Sequence, residues 1–166
     1  MSEPDDLAMS LLMAAMQVGE SGARITDFLP PPDPAEALRL AATGDLMALR
    51  FMAGKAYDGF VAFSADEDVS AMALSEALTF ARIAATQGHE HDSEVLVFLY
   101  CKAADWHTER GRQDIGTRFE AAGLNLASAL ADAGREDFAE MITIAGEVLS
   151  AETFAEAKRQ RQEKVG

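Results

Sequence analysis

The sequence predicts an all-α fold: a short α-solenoid of antiparallel helix pairs, about seven to eight helices, with an extra N-terminal helix. Three observations lead there. Ala, Leu, Met and Glu, the residues that lose least on entering a helix, dominate the periodic stretches. Four of the five prolines crowd into positions 30–34 and leave the remaining chain free of breaks. The segment Ala77-Leu78-Thr79-Phe80-Ala81-Arg82-Ile83-Ala84-Ala85-Thr86-Gln87-Gly88-His89 ends a helix with paired alanines and a glycine, and a fainter copy lies at 37–44. Self-similarity at a period of about 40 to 45 residues marks helical repeat arrays.

The elements follow in order. Residues 4–18, with LAMSLLMAAMQV at their heart, predict a helix apolar on nearly all sides, which needs cover on more than one face. Its cover is either the body of the protein or a partner or dimer helix, the latter favoured by its adaptable methionines. Gly19 and Gly22 loosen the chain after it, so the domain reading is 1–29, an apolar helix and flexible segment, then 30–166, the helical-repeat domain. Pro30-Pro31-Pro32-Asp33-Pro34 is a stiff connector. Asp33 suits an N-cap and Pro34 the first helical position, so a helix is predicted over 34–43. Gly44 ends it, because glycine takes the left-handed cap conformation at little cost.

A helix from Asp45 to about Tyr57 follows, then a long loop over 58–69. That loop would hold Phe60, Val61 and Phe63, either plugging the edge of the stack or forming an exposed contact patch. The next helix, 70–87, carries Leu74, Ala77, Leu78, Ala81, Ala84 and Ala85 at spacings of three and four and is ended by Gly88. Residues 90–104 contain the run Val95-Leu96-Val97-Phe98-Leu99, read as the most buried helix because its flanks are helical in composition. A polar break is expected over 106–111. A helix over 113–133 has Ile115, Phe119, Leu126 and Leu130 as its stripe, and Gly134 ends it. A helix over 136–149 presents Phe138, Met141, Ile142, Ala145 and Leu149. Ser150 then caps a last helix, acidic early and basic late as the helix dipole prefers, whose polar outer face suits a capping element.

The chain carries a net charge of -14. Repulsion from phosphate disfavours nucleic acid and anionic membrane as partners. Between residues 56 and 92, Arg82 is the lone Lys or Arg against Asp58, Asp66, Glu67, Asp68, Glu76, Glu90 and Asp92. This is a solvated exterior, or a surface for a basic partner, at the extreme a mimic of nucleic acid. Cys101, the single cysteine, excludes an internal disulfide and fits a reducing compartment. No stretch reaches the roughly 18 apolar residues of a membrane span. The apolar run 7–18 is led by Glu3, Asp5 and Asp6, the wrong sign for a signal peptide. The expected location is the cytoplasm.

Ala84-Ala85-Thr86-Gln87-Gly88-His89 resembles the helix ending of the Sel-one-like repeat, a relative of the tetratricopeptide repeat. Phe80 sits where that family places an aromatic, and Leu96 and Tyr100 fall where it expects a leucine and a tyrosine. Asp92 stands where it expects a small residue. The copy around Gly44 is looser, with one residue and not two between Ala42 and the glycine. The copy around Gly134 keeps only the helix–cap–helix rhythm. Gly44, Gly88 and Gly134 lie 44 and 46 residues apart, slightly longer than the usual period. The resemblance covers 35–104 and, more weakly, 113–150. It implies a right-handed stack of helix pairs with a concave surface that holds another protein, and it brings no catalytic residues.

Motifs for chemistry are sparse. His89 and His91 form an H-x-H pair, but at a helix start the two rings point apart. Asp66, Asp68 and Ser70 begin like a calcium loop, yet Ala71 and Ala77 stand where glycine and a bidentate glutamate are required. A Cys101–His dyad is conceivable, but a structural cysteine is the commoner case. No phosphate loop, nucleophile elbow or HExxH is present. No catalytic residue, cofactor or metal site is therefore expected. Trp106 and His107, near Arg110 and Arg112, form the best polar-aromatic cluster.

The expected function is a non-enzymatic adaptor whose concave face is lined by 45–57, 90–104 and 136–149. Arg50, Tyr57, Glu94, Lys102 and Glu140 are its candidate exposed contacts, with Phe60, Phe63 and Trp106 as further protein-binding candidates. A structural homodimer paired through the N-terminal helix, a nucleic-acid mimic inhibiting a DNA-binding protein, and an all-α enzyme are the alternatives.

Overall fold

The computed structural model describes residues 33–163, so the apolar segment 4–18 and the prolines at 30–32 lie outside the described residues. Within them the chain is all-α, with seven helices and no strand. They are α1 (Pro34–Ala42), α2 (Leu46–Ala62), α3 (Glu67–Ala85), α4 (Glu90–Glu109), α5 (Gln113–Asp132), α6 (Glu136–Val148) and α7 (Ala151–Glu163). Each of α1 to α5 packs on the next, α6 packs on α5, and α7 returns to lie against α5 as well.

Starts and stops follow local chemistry. Asp33, Asp45 and Asp66 each accept a hydrogen bond from the backbone N–H three residues on, and Ser150 does the same for Thr153. Gly44, Gly88, Gly111 and Gly134 all have positive φ, between 71° and 98°. At Gly44, Gly111 and Gly134 the glycine N–H and the next N–H fold back onto the last helical turn, as in Asp45 N to Leu40 O at 3.1 Å. Any L-residue there would be strained.

Three boundaries differ from the sequence reading. The loop expected over 58–69 is mostly helix: α2 continues to Ala62, and only residues 63–66 connect it to α3. Gly59 does not break the helix because it sits where α2 meets α3, 3.7 Å from Ala73 as a Cβ would see it. Tertiary packing there offsets the roughly 1 kcal/mol that a helical glycine costs. The break expected over 106–111 is the end of α4, with Trp106 buried and only Gly111 turning the chain. On α5 the expected stripe is displaced. Ile115, Phe119 and Leu126 are only half-buried, whereas Gly116, Thr117, Ala121, Gly123, Leu124, Ala127 and Leu130 form the buried face.

Alanine dominates the core. Ala37, Ala77, Ala103, Ala121, Ala127 and Ala157 are fully buried, while Leu49, Val97 and Leu99 are the largest apolar side chains buried to the same degree. Ala53, Ala56, Ala77, Ala81 and Ala103 meet Leu74, Leu78, Leu96, Leu99 and Trp106 in the central cluster of α2, α3 and α4. Ala84, from the repeat-like helix ending, joins Ala41, Ala48 and Leu49. Phe80 packs against both clusters. Phe138 with Met141 and Ile142 covers Val97 and Leu130, so the stripe expected on α6 does face inward. The last helix lays Ala157 on Ala121 and Leu124, with Thr153 Oγ1 donating to Glu120 Oε2 at 2.7 Å.

Gly116 and Gly123 bring α5 close to α4. A methyl group at Gly116 would stand 2.2 Å from Thr108 Oγ1 and 3.1 Å from the carbonyl oxygen of Ala104. One at Gly123 would be 3.4 Å from Tyr100 Cβ, near ordinary contact. Gly116→Ala should therefore lower unfolding stability in urea by about 1–3 kcal/mol, through overpacking. Gly123→Ala should change it by less than about 1 kcal/mol, since helix propensity acts the other way.

Candidate protein-binding face

Arg50 on α2 and Asp92 in the first turn of α4 form a two-point ion pair. Arg50 Nε donates to Oδ1 at 2.7 Å and Nη2 donates to Oδ2 at 2.9 Å. Asp92 is only 2% exposed. A carboxylate this deep requires a partner, and the planar guanidinium matches both of its oxygens. The Asp92 hydrogen bond raises the Arg50 guanidinium above its ordinary range, against the opposing effect of burial. Position 92 also lies in the first turn of α4, where the helix dipole favours negative charge.

Further along α2, Tyr57 meets the Phe98 ring edge-on at 5.3 Å and leans on Phe60 at 5.9 Å. Lys102 Nζ stands 5.5 Å from the Phe98 centroid, a cation–π arrangement. Burial first, then the Asp58 charge, pushes the Tyr57 hydroxyl up.

Arg135, the residue just before α6, ties that helix to α4. Its Nη1 donates to Glu94 and, at 3.5 Å, to Glu90 Oε2, while Nε and Nη2 hold Asp137 at 3.1 and 2.7 Å. The bonds to Asp137 and Glu94 raise the Arg135 guanidinium. Burial would push the Asp137 carboxyl up, but the hydrogen bond from Arg135 and its charge outweigh that and hold it below the ordinary carboxylate range. His91 Nδ1 reaches Glu94 Oε2 at 3.6 Å.

The exposure expected of the candidate contacts needs correction. Arg50, Tyr57, Glu94 and Lys102 are half-buried; of the five, only Glu140 is exposed. Arg50 and Glu94 spend their charge inside the chain, because α2, α4 and α6 meet through polar residues where the alanine core ends. Phe60 is half-buried against the central cluster, while Phe63, at 56% exposure, stands free beside Val61. Trp106 is buried. His89 and His91 are exposed, and no group of three His, Cys, Asp or Glu able to hold a metal occurs among the described residues. The Cys101 thiol is pushed up to about 12, by burial first and by the Asp105 and Glu120 charges next. The residue keeps some surface exposure, yet burial prevails at its sulfur. It is thus a neutral thiol near pH 7 and a poor nucleophile. No described helix is long and apolar enough to cross a membrane.

Sequence reasoning did not assign Asp92, Phe98 or Arg135 to this face. A signal for Asp92 existed: an acidic residue at the start of an apolar helix, with a basic residue 42 positions earlier. No family model, curated protein or solved structure matches this chain.

Removing one member of the Arg50–Asp92 pair leaves a charge stranded, whereas removing both does not. Arg50→Met alone should cost about 3 kcal/mol in urea unfolding. Adding Asp92→Leu should restore much of that loss. Equal stability of the single and double variants would contradict the pairing.

Proposed function

We propose that the chain is a non-enzymatic adaptor built of helical repeats, and that it holds another protein on the face formed by α2, α4 and α6. The observation that carries this reading is a recurring offset. Gln87 Nε2 donates to Gly44 O across 43 positions, Arg50 pairs with Asp92 across 42, and Arg135 reaches Glu94 and Glu90 across 41 and 45. These offsets match the spacing of Gly44, Gly88 and Gly134. Stacked like units meet their neighbours one period away, which is how a quasi-linear array builds an extended binding surface. The pairs α1–α2, α3–α4 and α5–α6 are the proposed units, and α7 closes the stack by lying on α5.

On that face Tyr57, Phe98 and Lys102 offer a mixed aromatic and cationic surface, and Glu140 offers exposed negative charge. Aromatic residues are favoured anchors at protein interfaces. The net charge of -14 suits a partner with a basic surface, which it would attract at low ionic strength. The cytoplasm remains the proposed location.

Affinity capture from the native host with the full chain tests the reading. A discrete protein partner should be recovered, and Glu140→Lys and Lys102→Glu should each weaken its binding about tenfold or more. Glu76→Lys, on the exposed side of α3, should leave binding unchanged. Failure to recover any partner, or equal binding by all three variants, would contradict it.

A further inference from the structure

The Trp106 cluster lies toward the C-terminal end of α4, one turn beyond Lys102, and borders a cleft of about 300 Å³ between α3, the end of α4 and the start of α5. Such a volume is at the small end of the range for small-molecule sites. Leu78, Trp106, His107 and Phe119 supply its apolar walls, and Arg82 and Arg112 its charge. The walls are flat and fixed. His107 stacks on Phe119 with 5.4 Å between centroids and 12° between planes. Trp106 lies beneath two guanidiniums, Arg110 at 4.3 Å and Arg112 at 4.5 Å.

The charges are out of balance at one point. Arg112 is compensated by Glu67, 2.9 Å away, and Arg110 lies 3.8 Å from Glu109. Arg82 has no carboxylate beside it among the described residues; its Nε donates to Tyr100 Oη at 3.1 Å. In a chain where acids outnumber bases by 28 to 14, an arginine left without an acid in a concave site is unusual. Four buried polar atoms there, Trp106 Nε1, His107 Nδ1, Arg112 Nε and Arg112 Nη2, have no hydrogen-bond partner. The Glu67 carboxylate meets Arg112 Nη2 at ion-pair distance but without hydrogen-bond alignment. Burial first, then the Arg112 and Arg110 charges, holds the His107 imidazole below its ordinary range despite Asp114, so the wall it forms is an uncharged ring at neutral pH.

We propose that this cleft binds a small organic anion, its flat apolar body against Trp106, Phe119 and Leu78 and its anionic group on Arg82 and Arg112. Charge-assisted hydrogen bonds from guanidinium to carboxylate or phosphate are the strong kind, and the apolar walls raise their worth by excluding water.

Trp106 is the only tryptophan in the chain, so its fluorescence reads this cleft without a second indole in the signal. The full chain is titrated with hydrocinnamate and with its neutral analogue hydrocinnamyl alcohol, and the heat of binding is measured in parallel. Hydrocinnamate should give a saturable response, and the alcohol should bind about tenfold more weakly or worse. Arg82→Gln should weaken hydrocinnamate by a similar factor. Thr79→Glu, an exposed position lining the cleft, should abolish binding by charge repulsion while the melting temperature is kept. No saturable response to hydrocinnamate, equal binding of the alcohol, or unchanged binding by both folded variants would overturn the proposal.

Discussion

Two helices approach only as closely as the residues between them allow, and in this chain alanine and glycine set that distance. The buried faces of α1 to α5 and of α7 all carry fully or almost fully buried alanines. Gly116 extends the same principle to the point where even a methyl group would collide with α4. A core of small side chains gains less from transfer out of water per residue than one of leucines, so it depends more on dense contact. That density is achieved by the short glycine turns. Gly44, Gly88, Gly111 and Gly134 reverse the chain within three or four residues and deliver α2, α4, α5 and α6 each onto its predecessor.

Where the alanine core ends, polar clamps begin. Arg50–Asp92 joins α2 to α4, and Arg135 joins the start of α6 to Glu90 and Glu94 of α4. The Arg50–Asp92 link is not a loose surface pair: Asp92 is as buried as the alanines around it. Its physical role is registry, because a guanidinium fork satisfies a buried carboxylate in one geometry and leaves it stranded in others. Arg50 and Glu94 were attractive as partner contacts only while they were imagined as exposed. Their satisfaction within the chain leaves the aromatic group of Tyr57 and Phe98, with Lys102 across it, as the distinctive chemistry of this face.

Much of the fold was legible in the sequence, and for local reasons. Asp33 before Pro34, Gly44, Gly88, Gly134 and Ser150 act within a turn of where they stand, so their meaning needs no knowledge of distant residues. The errors arose where distant packing decides. Gly59 and Asp58 read as a loop because the crossing of α2 over α3 that makes a helical glycine useful is not local. The stripe on α5 was assigned to its largest apolar residues, whereas the close approach of α4 selected the smallest, Gly116, Ala121 and Gly123. Trp106 was read at a polar break although α4 continues past it to Glu109. Candidate contacts on the concave face were chosen as exposed residues. An ion pair such as Arg50–Asp92 is invisible until the two helices are placed together.

The central claim is that α2, α4 and α6 present one continuous face to another protein. Photo-crosslinking in the native host tests it most directly, with a photoreactive residue placed at 102 or 140 on that face and at 76 or 79 on α3. The account predicts the same discrete heavier adduct from positions 102 and 140 and none from 76 and 79. An adduct confined to the α3 positions, or none from any of the four, would contradict it.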